Sequence, residues 1–151
     1  MIDPKASQLL NEQVGHEFSA FLQYVGVSTW FDAEALPELS KYFAQQAEEE
    51  RNHAMKMIQF LNDTNQDVAI PGIPEPQNRF GSVEEAIQLA YDQEVRVTDQ
   101  IKAIYDAAAG ANDRITHNFL QWFLEEQVEE VASMDTLLKI TRRAGDNLFR
   151  I

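Results

Sequence analysis

The chain has 151 residues, an apolar fraction of 44%, no cysteine, and 25 acids against 12 bases for a formal net charge of −13. That is enough chain to bury one domain's core unaided, while the missing cysteines exclude disulfides, zinc–thiolate sites and thiol nucleophiles, and the acidic balance argues against a nucleic-acid partner, which needs clustered Lys and Arg. The opening MIDPKASQLLNEQ lacks the apolar stretch of a signal peptide and no apolar run is long enough to span a bilayer, so the expectation is a cytoplasmic protein with no membrane partner.

Helix formers dominate and the apolar residues recur at helical spacing, which predicts an all-α chain. The first predicted helix covers about 4–31, opened by Asp3 and Pro4. The second begins at Pro37 and covers about 37–65. The third covers about 82–109, starts with the capping-box pattern Ser82-Val83-Glu84-Glu85 and ends near Gly110. The fourth covers about 113–143, before Gly145. The short joins around 33–36 and 110–112 make helices one and two, and three and four, antiparallel neighbours. Between the pairs lies QDVAIPGIPEPQNRFG, about 66–81, where Pro71, Pro74 and Pro76 forbid helix. Fully extended, it spans roughly 50 Å, against roughly 42 Å for a helix of about 28 residues. The linker can therefore run back along the whole bundle, joining two hairpins by one long crossover in a single domain over 1–151.

Reading each helix at alternating spacings of three and four picks out one face. The four stripes are Leu10, Val14, Glu17, Phe21, Tyr24; Leu39, Phe43, Gln46, Glu50, His53, Met57, Phe60; Ile87, Ala90, Glu94, Val97, Ile101, Ile104; and Leu120, Phe123, Gln127, Glu130, Met134, Leu137. Every helix places an acid in the middle of its apolar face. A lone glutamate in such a stripe is usually a misread register, and a lone histidine is usually a hydrogen-bonded core residue. Four helices sharing the anomaly are harder to dismiss, because bare carboxylates in an apolar core are costly unless cations neutralise them. The spacings also repeat: Glu17 to Glu50 equals Glu94 to Gln127, His53 follows Glu50 by three, and Glu130 follows Gln127 by three. Glu17, Glu50, His53, Glu94, Gln127 and Glu130 thus converge on one point. Oxygen-rich ligation with one imidazole suits iron or manganese, and zinc can bind such a set too. Two divalent ions would cancel the four carboxylate charges.

With Glu17, Glu50-Arg51-Asn52-His53-Ala54, Tyr24, Glu94 and FLEEQVEEV from Phe123 to Val131 in hand, the chain resembles the bacterial non-haem ferritins up to about residue 149. Ferritin-like di-iron bundles carry a Glu on each of two helices and Glu-x-x-His on the other two; here the second motif is Gln127-x-x-Glu130, the form of the non-haem ferritins. The resemblance implies that Glu17, Glu50 and His53 hold a first iron, and that Glu50, Glu94 and Glu130 hold a second with Gln127 close by. Tyr24 would lie beside the pair and supply an electron. Glu49, Glu126 and Glu129 resemble ligands of an additional iron site on the inner surface; the plainer reading is a solvated acidic face. Trp122 also matches the family, with an ordinary packing reading beside it. Bacterioferritins bind haem through a methionine where this chain has Arg51, so no haem is expected.

The implied activity is that of a ferroxidase: oxidation of iron(II) with O2 (or H2O2) and deposition of ferric oxyhydroxide mineral inside a homo-oligomeric cage of twenty-four subunits built from dimers, for iron storage and detoxification. A neutral Gln127 would keep the second iron loosely held. The alternative is a rubrerythrin-like di-iron oxidase or peroxidase, against which stand the missing cysteine-ligated module and the missing second Glu-x-x-His. A helical bundle acting purely as a scaffold would leave Glu17, Glu50 and Glu94 facing solvent. The miniature ferritins that protect DNA build their site between subunits and match less well. Family members usually carry a short fifth helix; this sequence ends at Ile151, where it would begin, so that helix is expected to be absent or truncated.

Overall fold

The computed structural model describes residues 2–145 and 147, which form four α-helices with no strand among them. They are α1 (Pro4–Ala33), α2 (Pro37–Asp63), α3 (Val83–Gly110) and α4 (Arg114–Ala144). Side chains close three of the four N-termini. Asp3 accepts from the Ala6 amide at 2.9 Å, Ser82 from the Glu85 amide at 3.1 Å, and Asp113 from the Thr116 amide at 3.0 Å. The Ser82 box differs from the usual pattern, because the Glu85 carboxylate takes the Gly81 N–H rather than that of Ser82. Asp113 also accepts from the Asp3 amide at 2.8 Å, which fastens the start of α1 to the start of α4.

Helices α1, α2 and α3 end alike. A non-glycine residue takes φ near +60° (Ala35 60°, Asn65 59°, Asn112 56°), and paired bonds seal the last carbonyls: Leu36 N–H to Phe31 at 2.9 Å, Gln66 N–H to Leu61 at 2.8 Å, Asp113 N–H to Ala108 at 2.8 Å. Gly110, expected beyond the helix, is its last residue; the left-handed position falls on Asn112, whose short polar side chain tolerates it. Likewise α2 stops at Asp63, because Asn65 has already left helical geometry.

The hairpins are antiparallel. Ser28 and Ser40 exchange hydroxyl-to-carbonyl bonds at 2.7 and 2.9 Å between α1 and α2. Arg142 near the end of α4 reaches Glu84 at 3.0 Å and Gln88 at 2.8 Å near the start of α3. The crossover runs along α1. Gln66 bonds Ser7 at 2.9 Å, Ala69 exchanges two bonds with the Asn11 amide at 2.8 and 2.9 Å, and Gln77 does the same with Gln23 at 2.8 and 2.9 Å. The fifth-helix expectation concerns residues beyond Asn147, which lie outside the described ones.

The apolar core is split. One cluster gathers Leu10, Val14, Met57, Leu61, Ile101 and Leu120; the other gathers Tyr24, Phe31, Phe43, Ile87, Met134 and Leu138. On each helix the polar stripe residues fall between the two. Three expected core positions are only partly buried: Phe21, Phe60 and Leu137. In α2 and α4 the inward place passes to Leu61 and Leu138, because a straight helix drifts about 20° per heptad from a strict seven-residue repeat. Phe60 instead stacks on Phe119 of α4, with centroids 4.0 Å apart.

Gly15 gives the crossover room: a Cβ there would lie 2.9 Å from Pro71 Cγ, on a ring that cannot rotate away. Gly15→Val is expected to destabilise the chain by about 1–3 kcal/mol and to speed amide exchange at Ala69 and Gln77. Unchanged protection at both would show that the crossover does not depend on this groove.

Candidate metal centre

The middle of the bundle is polar and closed to the surface. Glu17 from α1, Glu50 from α2 and Glu94 from α3 are wholly buried, and His53, Gln127 and Glu130 nearly so. The helical spacing puts them there: each stands where its stripe crosses the gap between the two apolar clusters. The solvent-facing carboxylates expected of a plain scaffold are therefore not what this chain has.

Glu17, Glu50 and His53 form the tightest group. One ligand atom from each lies within 4.8 Å of the others. His53 Nδ1 stands 3.5 Å from Glu50 Oε2 and 4.0 Å from Glu17 Oε2. The imidazole is held edge-on by Trp122 and Phe123, with centroids 5.5 and 5.6 Å away. Trp122 is half-exposed and carries the Lys56 ammonium 3.4 Å above its ring.

Glu94 is held from two sides. The Tyr24 hydroxyl donates to its Oε1 at 2.5 Å, and Gln127 Nε2 donates to its Oε2 at 3.1 Å. Glu130 faces both the interior and Glu49, and it acts electrostatically on Glu50. Glu49 and Glu126 line one surface hollow with His53, Lys56 and Trp122. Glu129 is exposed and outside that lining. Arg51 is exposed and pairs with Glu48 at 3.2 Å.

Burial, then the neighbouring Glu50, pushes the Glu17 carboxyl well above the usual carboxylate range. Burial, reinforced by Glu94 and Glu130, does the same to Glu50. Glu130 is pushed up to about 9 by burial and by Glu49. Tyr24 is raised by burial and by the nearby Glu94 and Glu50 charges. These are the shifts expected of acids buried beside one another.

Whether a metal suits this donor set is decided by what the side chains leave unsatisfied. Glu17 Oε2, both Glu50 oxygens, His53 Nδ1, Gln127 Oε1 and Glu130 Oε2 are buried without a hydrogen-bond partner. Buried polar atoms nearly always have one. Five of the six are oxygens with lone pairs to offer and the sixth is an imidazole nitrogen, so a hard or borderline cation supplies what they lack.

The stripe reading missed the amides and the hydroxyl around these acids. Gln13 is buried and its Nε2 sits 3.4 Å from Glu17 Oε1 and 3.1 Å from Gln100 Oε1. Gln93 is buried beside Glu94, and Thr98 bonds the Glu94 carbonyl at 2.8 Å. Gln13 and Thr98 each stand four residues from an acid, the spacing that shares a helix face; that signal is present in the sequence.

Residues 7–144 match the ferritin-like domain of the ferritin family. Ferritin BfrB of Mycolicibacterium smegmatis is 47% identical over 150 residues, covering 99% of this chain and 83% of that protein. A bacterial non-heme ferritin of Staphylococcus saprophyticus is 34% identical over 147 residues, covering 97% and 88%. Among solved structures, an open pore ferritin from the hyperthermophilic archaeon Archaeoglobus fulgidus superimposes with a TM-score of 0.96 at 32% identity, covering 99% of this chain and 93% of that one. With the family's domain spanning nearly its whole length, this chain belongs to the ferritin family.

Proposed function

We propose that the chain stores iron and detoxifies it as a ferroxidase, with ferrous iron as substrate. Family membership supports the storage role. The observation that carries the ferroxidase reading is the Glu17–Glu50–His53 group, whose buried ligand atoms lie within 4.8 Å of one another with no partners of their own. In this proposal Glu17, Glu50 and His53 hold one ferrous ion. Glu50, Glu94 and Glu130 hold a second, with Gln127 beside it. The two ions lose one electron each, and O2 takes both electrons and two protons from solvent to leave as H2O2. When only one ferrous ion is bound, Tyr24, bonded to Glu94, would supply the second electron that O2 needs, its phenolic proton passing to that carboxylate.

The additional iron site at Glu49, Glu126 and Glu129 belongs to the same proposal. Glu130 interacts with Glu49, which offers a step from the interior to the acidic face of α2 and α4. Deposition of mineral inside a cage of twenty-four subunits, in the cytoplasm, completes it. No helix among the described residues is long and apolar enough to cross a membrane, and the chain superimposes with a TM-score of 0.96 on an open pore ferritin.

Glu50→Ala removes the carboxylate common to both proposed ions. Aerobic addition of ferrous iron to this variant should show the initial rise in ferric absorbance slowed by at least about tenfold, the lower bound seen for loss of outer partners alone; a wild-type rate would refute the site. Size-exclusion chromatography of the same wild-type sample should place the protein at the mass of a cage rather than a dimer.

Stability should respond to pH with opposite signs in the two metal states. The folded-state pKa values of Glu17, Glu50 and Glu130 lie above the unfolded value of 4.5. The contribution of these three groups is therefore fully present below that value and is lost from the metal-free chain as pH rises towards about 9, where Glu130 titrates. Cations displace these protons, so metal binding strengthens over the same range. In chelator, the denaturation midpoint should fall between pH 5.5 and 8.5, and Glu17→Gln with Glu50→Gln should flatten that fall. A midpoint rising with pH in chelator would show that the carboxyls are not held protonated.

A further inference from the structure

Thr98 lies on α3 one turn beyond Glu94, and its hydroxyl donates to the Glu94 carbonyl at 2.8 Å. That uses its one proton, so towards any other neighbour Thr98 Oγ1 acts only as an acceptor. From α4, Gln127 Nε2 donates to Thr98 Oγ1 at 3.0 Å, to Glu94 Oε2 at 3.1 Å and to the Glu94 carbonyl at 3.3 Å. The other end of this amide, Gln127 Oε1, is buried and has no partner. Turning the amide over would set Oε1 against two acceptor oxygens of Glu94 and could be met by Thr98 only if its hydroxyl gave up the bond to the Glu94 carbonyl.

We propose that Thr98 is a positioning residue, which locks the Gln127 amide so that its oxygen faces the centre as a neutral donor to the second divalent cation. The role rests on the two-ion reading above. The lock does not depend on the state of the Glu94 carboxylate. If a cation draws that carboxylate away, Gln127 loses one acceptor. Thr98 Oγ1 and the Glu94 carbonyl remain, and the two hydrogens of Nε2 have one acceptor each. Without the Thr98 oxygen the amide can rotate and present its NH2 group to the cation, which repels it. Thr98 thus sets which end of a neutral ligand the metal meets, without touching the metal.

Anaerobic titration with Co(II), followed by its visible absorption, tests this in wild type, Thr98→Val, Thr98→Ala, Thr98→Ser, Gln127→Ala and the Thr98→Val/Gln127→Ala double variant. Expected are an unchanged first step in Thr98→Val and Thr98→Ala, with a second step weakened roughly tenfold or more. Thr98→Ser, which keeps the hydroxyl, should behave as wild type. In the Gln127→Ala background, Thr98→Val should add nothing. The proposal is overturned if Thr98→Val and Thr98→Ala bind both ions as wild type does, if Thr98→Ser weakens as they do, or if Thr98→Val still weakens binding without Gln127. Uptake of a single ion by wild type would sink the two-ion reading and this role together, and is seen before any substitution is compared.

Discussion

Water does not reach Glu17, Glu50 or Glu94, and like charges in such a place repel one another with little screening. The metal-free chain meets this constraint with protons, held on Glu17 and Glu50 by burial and on Glu130 up to about pH 9. In the proposed function divalent cations would meet it differently, by taking the protons' place and bringing two charges each. Four buried acids would be a poor way to stabilise a bundle, since apolar residues of similar size generally do as well or better. Their presence at one level of all four helices supports the proposed site for cations.

The surroundings of the acids are not symmetrical. Between α1 and α3 the polar groups are neutral amides: Gln13, Gln93 and Gln100. Between α2 and α4 they are acids, with Glu130 interacting with Glu49 and a hollow that also carries Glu126. A cation held at the middle therefore meets a graded field, more negative towards α2 and α4. The single lysine of that hollow, Lys56, is engaged with the Trp122 ring.

Much of this was legible in the sequence, because helices expose their plan in their period. The four helices, their pairing and the long crossover follow from Pro37, Ser82, the three prolines of the linker and the short joins. The acid on each stripe follows from spacing alone: Glu17 to Glu50 and Glu94 to Gln127 span the same interval, and Glu130 follows Gln127 as His53 follows Glu50. What escaped were features that local pattern does not encode. The stripe places Phe60 and Leu137 in the core because a pattern of threes and fours slowly walks off the true helical face. Glycine's preference for helix ends points to Gly110 as the terminator, whereas the backbone turns at Asn112. Thr98 and Gln13 drew no notice because a hydroxyl or amide four residues from an acid is common on exposed helices. Only the packing of α3 against α4, and of α1 against α3, shows that these two face inward.

The divided core has a bearing on how the chain tolerates change. Leu10 and Met57 pack on one side of the polar layer and Phe43 and Met134 on the other. The layer works as a bulkhead, a polar partition between two separate apolar clusters. Repacking in one compartment is then not felt in the other, since sites without shared partners act independently. Either end of the rod can drift in sequence or be redesigned without retuning its opposite, while the bulkhead stays fixed.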